Sequence, residues 1–289
     1  MVRTVYESAY AKINLTLDIT GKRNDGYHTL DSIMQTVTLA DEITLTYNSE
    51  RDNVSLACDD TMLSGADNLC CKAAQAYLDA TGIRGGIEIT LAKKIPVAAG
   101  LGGGSADAAA VLRALMRIFP GRMTKDALLV VAAKLGADVP FCFVGGCMRA
   151  QGIGEMMVEL PQIFPLPIVI ARRGEGISSA EAYRLYDANP AETFFTGAAV
   201  EAMMKDDHKA FLSTISNGFE KAIFPVRPEA ERVCSELIGL GALTAHMSGS
   251  GSAVFGIFAS EECAMQAAEA LRKHEMFAEV CYPCSIESA

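Results

Sequence analysis

The chain has 289 residues, of which 50% are hydrophobic and 21% charged, so it can bury a sizeable core and exceeds the usual size of one compact domain. A formal net charge of −10, with no basic block to concentrate positive charge, would repel a phosphate backbone or an anionic membrane, so neither nucleic acid nor a membrane is an expected partner. Met1 to Tyr10 holds no apolar run of signal-peptide length and no stretch reaches the roughly eighteen apolar residues of a spanning helix, which makes the cytoplasm the expected location. In a reducing compartment the nine cysteines are thiols, most of them small core residues. Cys281 and Cys284 form a Cys-x-x-Cys, but no second pair or histidine cluster completes a metal site with it.

From Ala11 to Ile19 the residues alternate: Ile13, Leu15, Leu17 and Ile19 on one face, Lys12, Asn14, Thr16 and Asp18 on the other. That is the period of a half-buried strand and projects Lys12 and Asn14 together from its polar, exposed face. Glu42 to Tyr47 and Ile87 to Leu91 repeat the alternation, and between them Asp67 caps a helix through Ala73, Ala74 and Leu78 that Gly82 ends. Ser105 to Phe119 has helical spacing and starts directly after the densest glycine cluster. A second helix begins near Thr124 and stops before Gly136; Asp138 lies in a connector, and Phe141 to Val144 reads as a strand.

Gly152 to Gly154 and the proline-rich stretch Phe164 to Pro167 mark a junction, giving domains 1–155 and 156–289. Beyond it, helices at 180–187, 197–223 and 227–240 precede strands at Leu243–Met247 and Ala253–Phe258, a helix at 260–274 and a strand near 277–282. The fold class is α+β, without internal repeats.

The strongest chemical signal is Pro96-Val97-Ala98-Ala99-Gly100-Leu101-Gly102-Gly103-Gly104-Ser105-Ala106. Glycines here let backbone N–H groups approach an anion at the start of the next helix, where the helix dipole favours phosphate. A Walker A loop needs Gly-Lys-Ser/Thr, which is absent, and the third glycine of a dinucleotide fingerprint is replaced by Ser105. The loop belongs to another architecture.

Pro-x-x-x-Gly-Leu-Gly-Gly-Gly-Ser resembles the central motif of the GHMP kinases, the superfamily of galactokinase, homoserine kinase and mevalonate kinase. Ala11-Lys-Ile-Asn-Leu15, the segment from Gly21 to Gly26-Tyr27-His28, and Gly136-Ala-Asp-Val-Pro140 are similar to the branch that phosphorylates a cytidine diphosphate sugar-alcohol. Met247-Ser-Gly-Ser-Gly251-Ser-Ala-Val-Phe255 resembles the third motif of the superfamily, so the similarity spans almost the whole chain. Two departures stand out: Ala106 where a second serine is frequent, and Ser252 where proline is frequent.

The resemblance implies a two-domain GHMP kinase fold, with a ribosomal-protein-S5-like N-terminal domain and a ferredoxin-like C-terminal domain. It implies ATP held by residues 96 to 106, with Mg²⁺ supplied as the ATP complex. Asp107 either approaches that ion through water or only favours the first turn of its helix. Asp138 becomes the base that accepts or orients the hydroxyl proton, and Lys12 its electrostatic partner. The acceptor falls to Asn14, Tyr27, His28, Ser179, Tyr183, Ser248, Gly249, Ser250 and Gly251, with Tyr27 and Tyr183 sandwiching cytosine while His28 reads its edge. The expected partners are small molecules only, and the expected assembly is a monomer or weak homodimer. Another GHMP kinase, acting on homoserine, mevalonate or a sugar, would keep the glycine loop without the base clamp. A non-catalytic nucleotide-binding member of the fold would need neither Lys12 nor Asp138.

Overall fold

The structure, a computed structural model, describes residues 1–286. Its N-terminal alternation builds two long strands, β1 (Val2–Lys22) and β2 (His28–Asn48), paired antiparallel from Val2↔Asn48 to Lys22↔His28. The register shifts between Tyr10 and Lys12 and again between Asn14 and Thr16. Such bulges turn a strand and re-aim its side chains, and here they bracket Lys12 and Asn14.

β3 (Val54–Cys58) leads to α1 (Leu69–Thr81) and β4 (Gly86–Ala92). Asn68 caps α1 through Cys70 N, one residue after the expected Asp67, and Gly82 closes it at φ +66°. α2 (Gly103–Ile118) and α3 (Lys125–Leu135) follow, the latter capped by Thr124. Phe141 to Val144 is not the expected strand: it lies in a short helix, α4 (Val139–Val144). Pro140 sits in the first turn, where a missing N–H costs nothing, and Gly145 at φ +73° ends the helix.

β5 (Cys147–Gly152) pairs with the first half of β2, and β6 (Met156–Glu159) pairs with β5. β6 therefore extends the N-terminal sheet past the expected boundary at residue 155. β7 (Ile168–Arg172) opens the second sheet and α5 (Ser179–Ala188) follows it. The single helix expected over 197–223 is broken into α6 (Thr196–Met204), α7 (His208–Thr214), β8 (Ser216–Asn217) and α8 (Glu220–Ile223). Asp206 turns the chain at φ +56°, and Asp207 caps α7 through Ala210 N. α9 (Pro228–Gly239), β9 (Thr244–Met247), β10 (Val254–Ile257), α10 (Glu261–Arg272) and β11 (Phe277–Cys281) complete the described chain.

The first sheet runs β3-β4-β2-β1-β8, with β5 and β6 off the start of β2. The second runs β11-β7-β10-β9, antiparallel throughout, the ferredoxin-like order. One core lies between the first sheet and α1 to α4. A second joins the two sheets: Ala11, Ile13 and Leu15 of β1 and Ile33 and Val37 of β2 pack with Ile168, Ile170, Phe255 and Ile257. Every residue from Ala11 to Ile19 is buried, including Lys12 at 4% exposure and Asn14 at 4%. The polar face of β1 thus does not meet solvent as the alternation suggested: Lys12 lies against Gly102 and beside Asp138, Asn14 donates to Ser32, and Asp18 accepts from the N–H groups of Phe195 and Thr196.

Two glycine-containing turns fasten the domains together. A Cβ on Gly100, at φ +79°, would lie 2.0 Å from the Ser248 carbonyl oxygen, and one on Gly249 would lie 2.8 Å from the Gly100 carbonyl oxygen. The Ser248 hydroxyl donates to Gly100 O at 3.0 Å and accepts from Asn14 N at 3.2 Å. Gly100→Ala should therefore cost about 2 kcal/mol or more, from forced separation of two backbones together with a strained positive φ. Chemical denaturation checks this: a midpoint equal to that of the parent chain would show the turns to be separable.

Candidate active site

Lys12 stands where β1, the glycine turn and α4 meet. Its N–H donates to Leu101 O at 3.0 Å, and its alkyl chain lies against Gly102, where a Cβ would come within 3.0 Å of Lys12 Cγ. Its ammonium donates to Asn14 Oδ1 at 2.6 Å and lies 3.5 Å from Asp138 Oδ2. Asn14 in turn donates to Ser32 Oγ at 2.8 Å. Asp138 occupies the cap position of α4, but its carboxylate accepts no hydrogen bond from that helix, and its side chain stays 38% exposed. A buried lysine and a part-exposed carboxylate, from two motifs far apart in the chain, thus face one opening.

That opening is a cavity of about 700 Å³. Pro96, Val97, Ala98, Ala99, Gly100, Leu101, Gly102, Gly103, Gly104 and Ser105 form one wall; Lys12, Asn14, Asp138, Ser179, Tyr183, Gly249 and Ser250 contribute the others. Ala106 is absent from the lining and packs in the N-terminal core at 1% exposure. Ser248, fully buried, and Gly251 also stay out of the lining; they shape the second turn from behind.

The glycine turn presents its two polar edges to different environments. Four of its carbonyls are taken by protein donors: Val97 O by Arg172 Nη1 at 2.9 Å, Ala99 O by Ala253 N at 3.0 Å, Gly100 O by the Ser248 hydroxyl and Leu101 O by Lys12 N. The opposite edge runs into the first turn of α2, whose N–H groups lack intrahelical acceptors. Asn217 supports the second turn, donating from Nδ2 to Met247 O at 2.7 Å and Gly249 O at 2.8 Å.

The lining also holds residues that the sequence did not single out, among them Lys93, Ser32 and Phe219. Lys93 donates to Asp107 Oδ2 at 2.8 Å and to Asp41 Oδ2, and both carboxylates are buried. Burial works against the Lys93 charge, but Asp107 and Asp41 outweigh it and hold the ammonium above its ordinary range. Burial also pushes the Asp107 carboxyl up, with Lys93 opposing, and Asp107 Oδ1 is buried without a hydrogen-bond partner. Asp107 is the fifth residue of α2, so it lies beyond the first turn and does not act as a dipole partner there. One lysine among many gives no signal in a single sequence, and Phe219 reads as core.

The aromatic residues are arranged differently from a ready clamp. The His28 ring stacks on Tyr183, with centroids 4.5 Å apart and planes at 13°, while Phe219 meets Tyr183 edge-on at 5.0 Å. Tyr27 is 63% exposed and shows no ring contact with Tyr183 among the described residues, so the structure does not bring the two tyrosines face to face. Burial, and after it the charge of Asp138, pushes the Tyr183 phenol up to about 12, so the hydroxyl stays protonated and senses the same carboxylate that Lys12 contacts. Cys281 ends β11 and Cys284 follows it, their thiols raised above the ordinary range by burial, which fits packing rather than thiolate chemistry. No described helix is long and apolar enough to cross a membrane.

Family models give these motifs a context. The GHMP kinases N terminal domain matches residues 68–146, and the GHMP kinases C terminal model matches residues 199–275. A protein of Desulfitobacterium hafniense (strain Y51) named 4-diphosphocytidyl-2-C-methyl-D-erythritol kinase is 42% identical over 94% of each chain. One of the same name from Prosthecochloris aestuarii is 40% identical over 93% of this chain and 94% of its own. Among solved structures, a 4-(cytidine 5'-diphospho)-2C-methyl-D-erythritol kinase superposes with a TM-score of 0.81 at 34% identity, covering 97% of this chain and all of its own. A homoserine kinase from Cytophaga hutchinsonii reaches a TM-score of 0.76 at 21% identity over 98% of this chain and 95% of its own, which shows the shared fold alone. Both halves of the family signature and relatives of this identity along nearly the whole length agree: the chain belongs to the GHMP kinases, in the family of the 4-diphosphocytidyl-2-C-methyl-D-erythritol kinases.

Proposed function

We propose that this ATP-dependent kinase transfers the γ-phosphoryl group of ATP to the 2-hydroxyl of 4-diphosphocytidyl-2-C-methyl-D-erythritol, a step toward isoprenoid precursors. The observation that carries the reading is the convergence of Lys12, Asp138 and the glycine turn on one cavity, in a chain whose relatives bear that substrate in their name.

Phosphoryl transfer asks for positioning, charge neutralisation and a group that accepts the hydroxyl proton. Asp138 accepts that proton: it is exposed enough to meet the substrate and has no competing cap bond. Lys12, fixed by Asn14 and by the glycine turn, offsets charge that develops on the moving phosphoryl group. Backbone N–H groups at the start of α2 receive the ATP phosphates. Mg²⁺ enters as part of the ATP complex, and Asp107 Oδ1, a buried carboxylate oxygen without a partner, fits it as an acceptor for the ion or its water. Among the described residues no group of three or more His, Cys, Asp or Glu side chains could hold a metal alone, which suits an ion that arrives on phosphate. The cytidine end of the acceptor lies toward Tyr183, with Tyr27 swinging in from its exposed turn to cover the base.

Release of ADP in the presence of 4-diphosphocytidyl-2-C-methyl-D-erythritol, beside mevalonate and homoserine, tests the reading; turnover of either control in preference to the cytidine substrate would overturn it. Asp138→Asn should keep both substrates bound but lower kcat by about a hundredfold or more, and an undiminished kcat would remove Asp138 from the chemistry. Lys12→Ala should lower both turnover and stability, because a buried ammonium that serves Asn14 and Asp138 is lost; denaturation and kinetics run in parallel resolve the two effects. Gly104 separates ligand from fold: a Cβ there meets nothing closer than Leu69 Cδ1 at 3.7 Å, so Gly104→Ala should fold at least as stably as the parent while raising the KM for ATP several-fold. Parent-like ATP kinetics in that variant would place the phosphates elsewhere.

A further inference from the structure

Arg113 is buried to 4% exposure in α2, where every other buried residue except Asp107 is alanine, valine, leucine or isoleucine. Its guanidinium reaches two other elements. Nη1 donates to Cys142 O at 2.8 Å, Nη2 to Ser8 O at 2.8 Å and Nε to Glu7 Oε2 at 3.4 Å. Cys142 lies toward the C-terminal end of α4, where carbonyls lack intrahelical donors, and Ser8 lies on β1 just ahead of the register shift between Tyr10 and Lys12. The Cys142 N–H in turn donates to Asp138 O at 2.9 Å, one helical turn back. A single side chain of α2 therefore binds both the helix that begins at Asp138 and the strand that carries Lys12.

We propose that Arg113 is a positioning residue for phosphoryl transfer, which ties α4 and β1 to α2 and so sets how Asp138 stands against Lys12. The inference rests on the reading of Asp138 as the base. Asp138 accepts no bond from α4, and its ion pair is the 3.5 Å contact with Lys12, so the place of its carboxylate follows from where α4 sits. Lys12 N is held on Leu101 O beyond the register shift; Arg113 supplies the anchor ahead of it and joins that anchor to α4. Burial works against the Arg113 charge and Glu7 opposes that effect. A buried ion pair adds little net stability over apolar packing, so what the arginine brings to an apolar helix face is geometry. Its planar fork serves two carbonyls and a carboxylate at once, which the compact ammonium of a lysine does not.

The test compares kcat and the KM for ATP in variants of the full chain. Arg113→Met keeps an apolar stem in place, and Glu7 keeps its second partner, Arg117 Nη1 at 2.8 Å, so the variant should fold, which denaturation checks. Its kcat should fall about tenfold or more, the scale expected when reacting groups are displaced by a fraction of an ångström to about 1 Å, while the KM for ATP keeps the parent value. Arg113→Lys retains the charge but not the fork; its kcat should fall by a smaller factor, and it carries the same comparison if Arg113→Met does not fold. The deciding measurement repeats each substitution in the Asp138→Asn background. A residue that acts through Asp138 has nothing left to position there, so the double variant should have the kcat of Asp138→Asn alone. A loss that recurs in full in that background, as a fraction of unfolded protein would give, would overturn the inference and leave the reading of Asp138 standing. So would a parent-like kcat in either folded variant, or a raised KM for ATP as the main effect. An undiminished kcat in Asp138→Asn alone would overturn both.

Discussion

Gly100 has room for a hydrogen and nothing larger, because the carbonyl of Ser248 from the other domain stands where a side chain would begin. This backbone-to-backbone contact sets the distance between the two turns and, through Lys12 N on Leu101 O and Asn14 N on Ser248 Oγ, the position of β1 between them. Lys12 is held where it meets Asp138 because its strand and the glycine turn are both pinned at that junction. Glycine here serves two masters: at Gly100 and Gly249 it permits one domain to touch the other, whereas at Gly104 the protein itself makes no such demand.

An acidic chain that handles two polyanions must solve an electrostatic problem. Lys12 and Lys93 are the only lysines or arginines among the residues lining the cavity, and each is matched by carboxylates, Lys12 by Asp138 and Lys93 by Asp41 and Asp107. Side-chain charge in the cavity is close to balanced, so attraction for phosphate has to come mainly from oriented peptide dipoles at the start of α2. Engaging the carbonyls of Val97, Ala99, Gly100 and Leu101 with protein donors serves the same end, since it turns the negative edge of the turn away from the ligand.

Local features were legible in the sequence where a local rule decides them. Thr124 and Gly82 mark the ends of α3 and α1 by capping chemistry, and the strands and helix from 243 to 282 follow their periodicities closely. Phe141 to Val144 misled because four consecutive apolar residues, the first three fully buried, have the same pattern in a strand and in a short helix. The alternation in β1 was read correctly as a strand but not as one buried on both faces, since the groups that meet its polar face, Asp138 and the N–H groups of Phe195 and Thr196, come from far along the chain. Of the cavity, the glycine turn announced itself; Lys93 did not, because its partner Asp41 is 52 residues distant and no spacing rule links them.

The core shared by the two sheets bears on how the chain folds during synthesis. Ala11, Ile13, Leu15, Ile33 and Val37 emerge early, but the residues that cover them include Phe255 and Ile257, near the end of the chain. Until those strands leave the ribosome, the nascent N-terminal half carries an uncovered apolar face along β1 and β2. Domain-by-domain folding is therefore closed to this chain in its usual form, and the long interval before β10 appears is one in which a chaperone would find a binding surface.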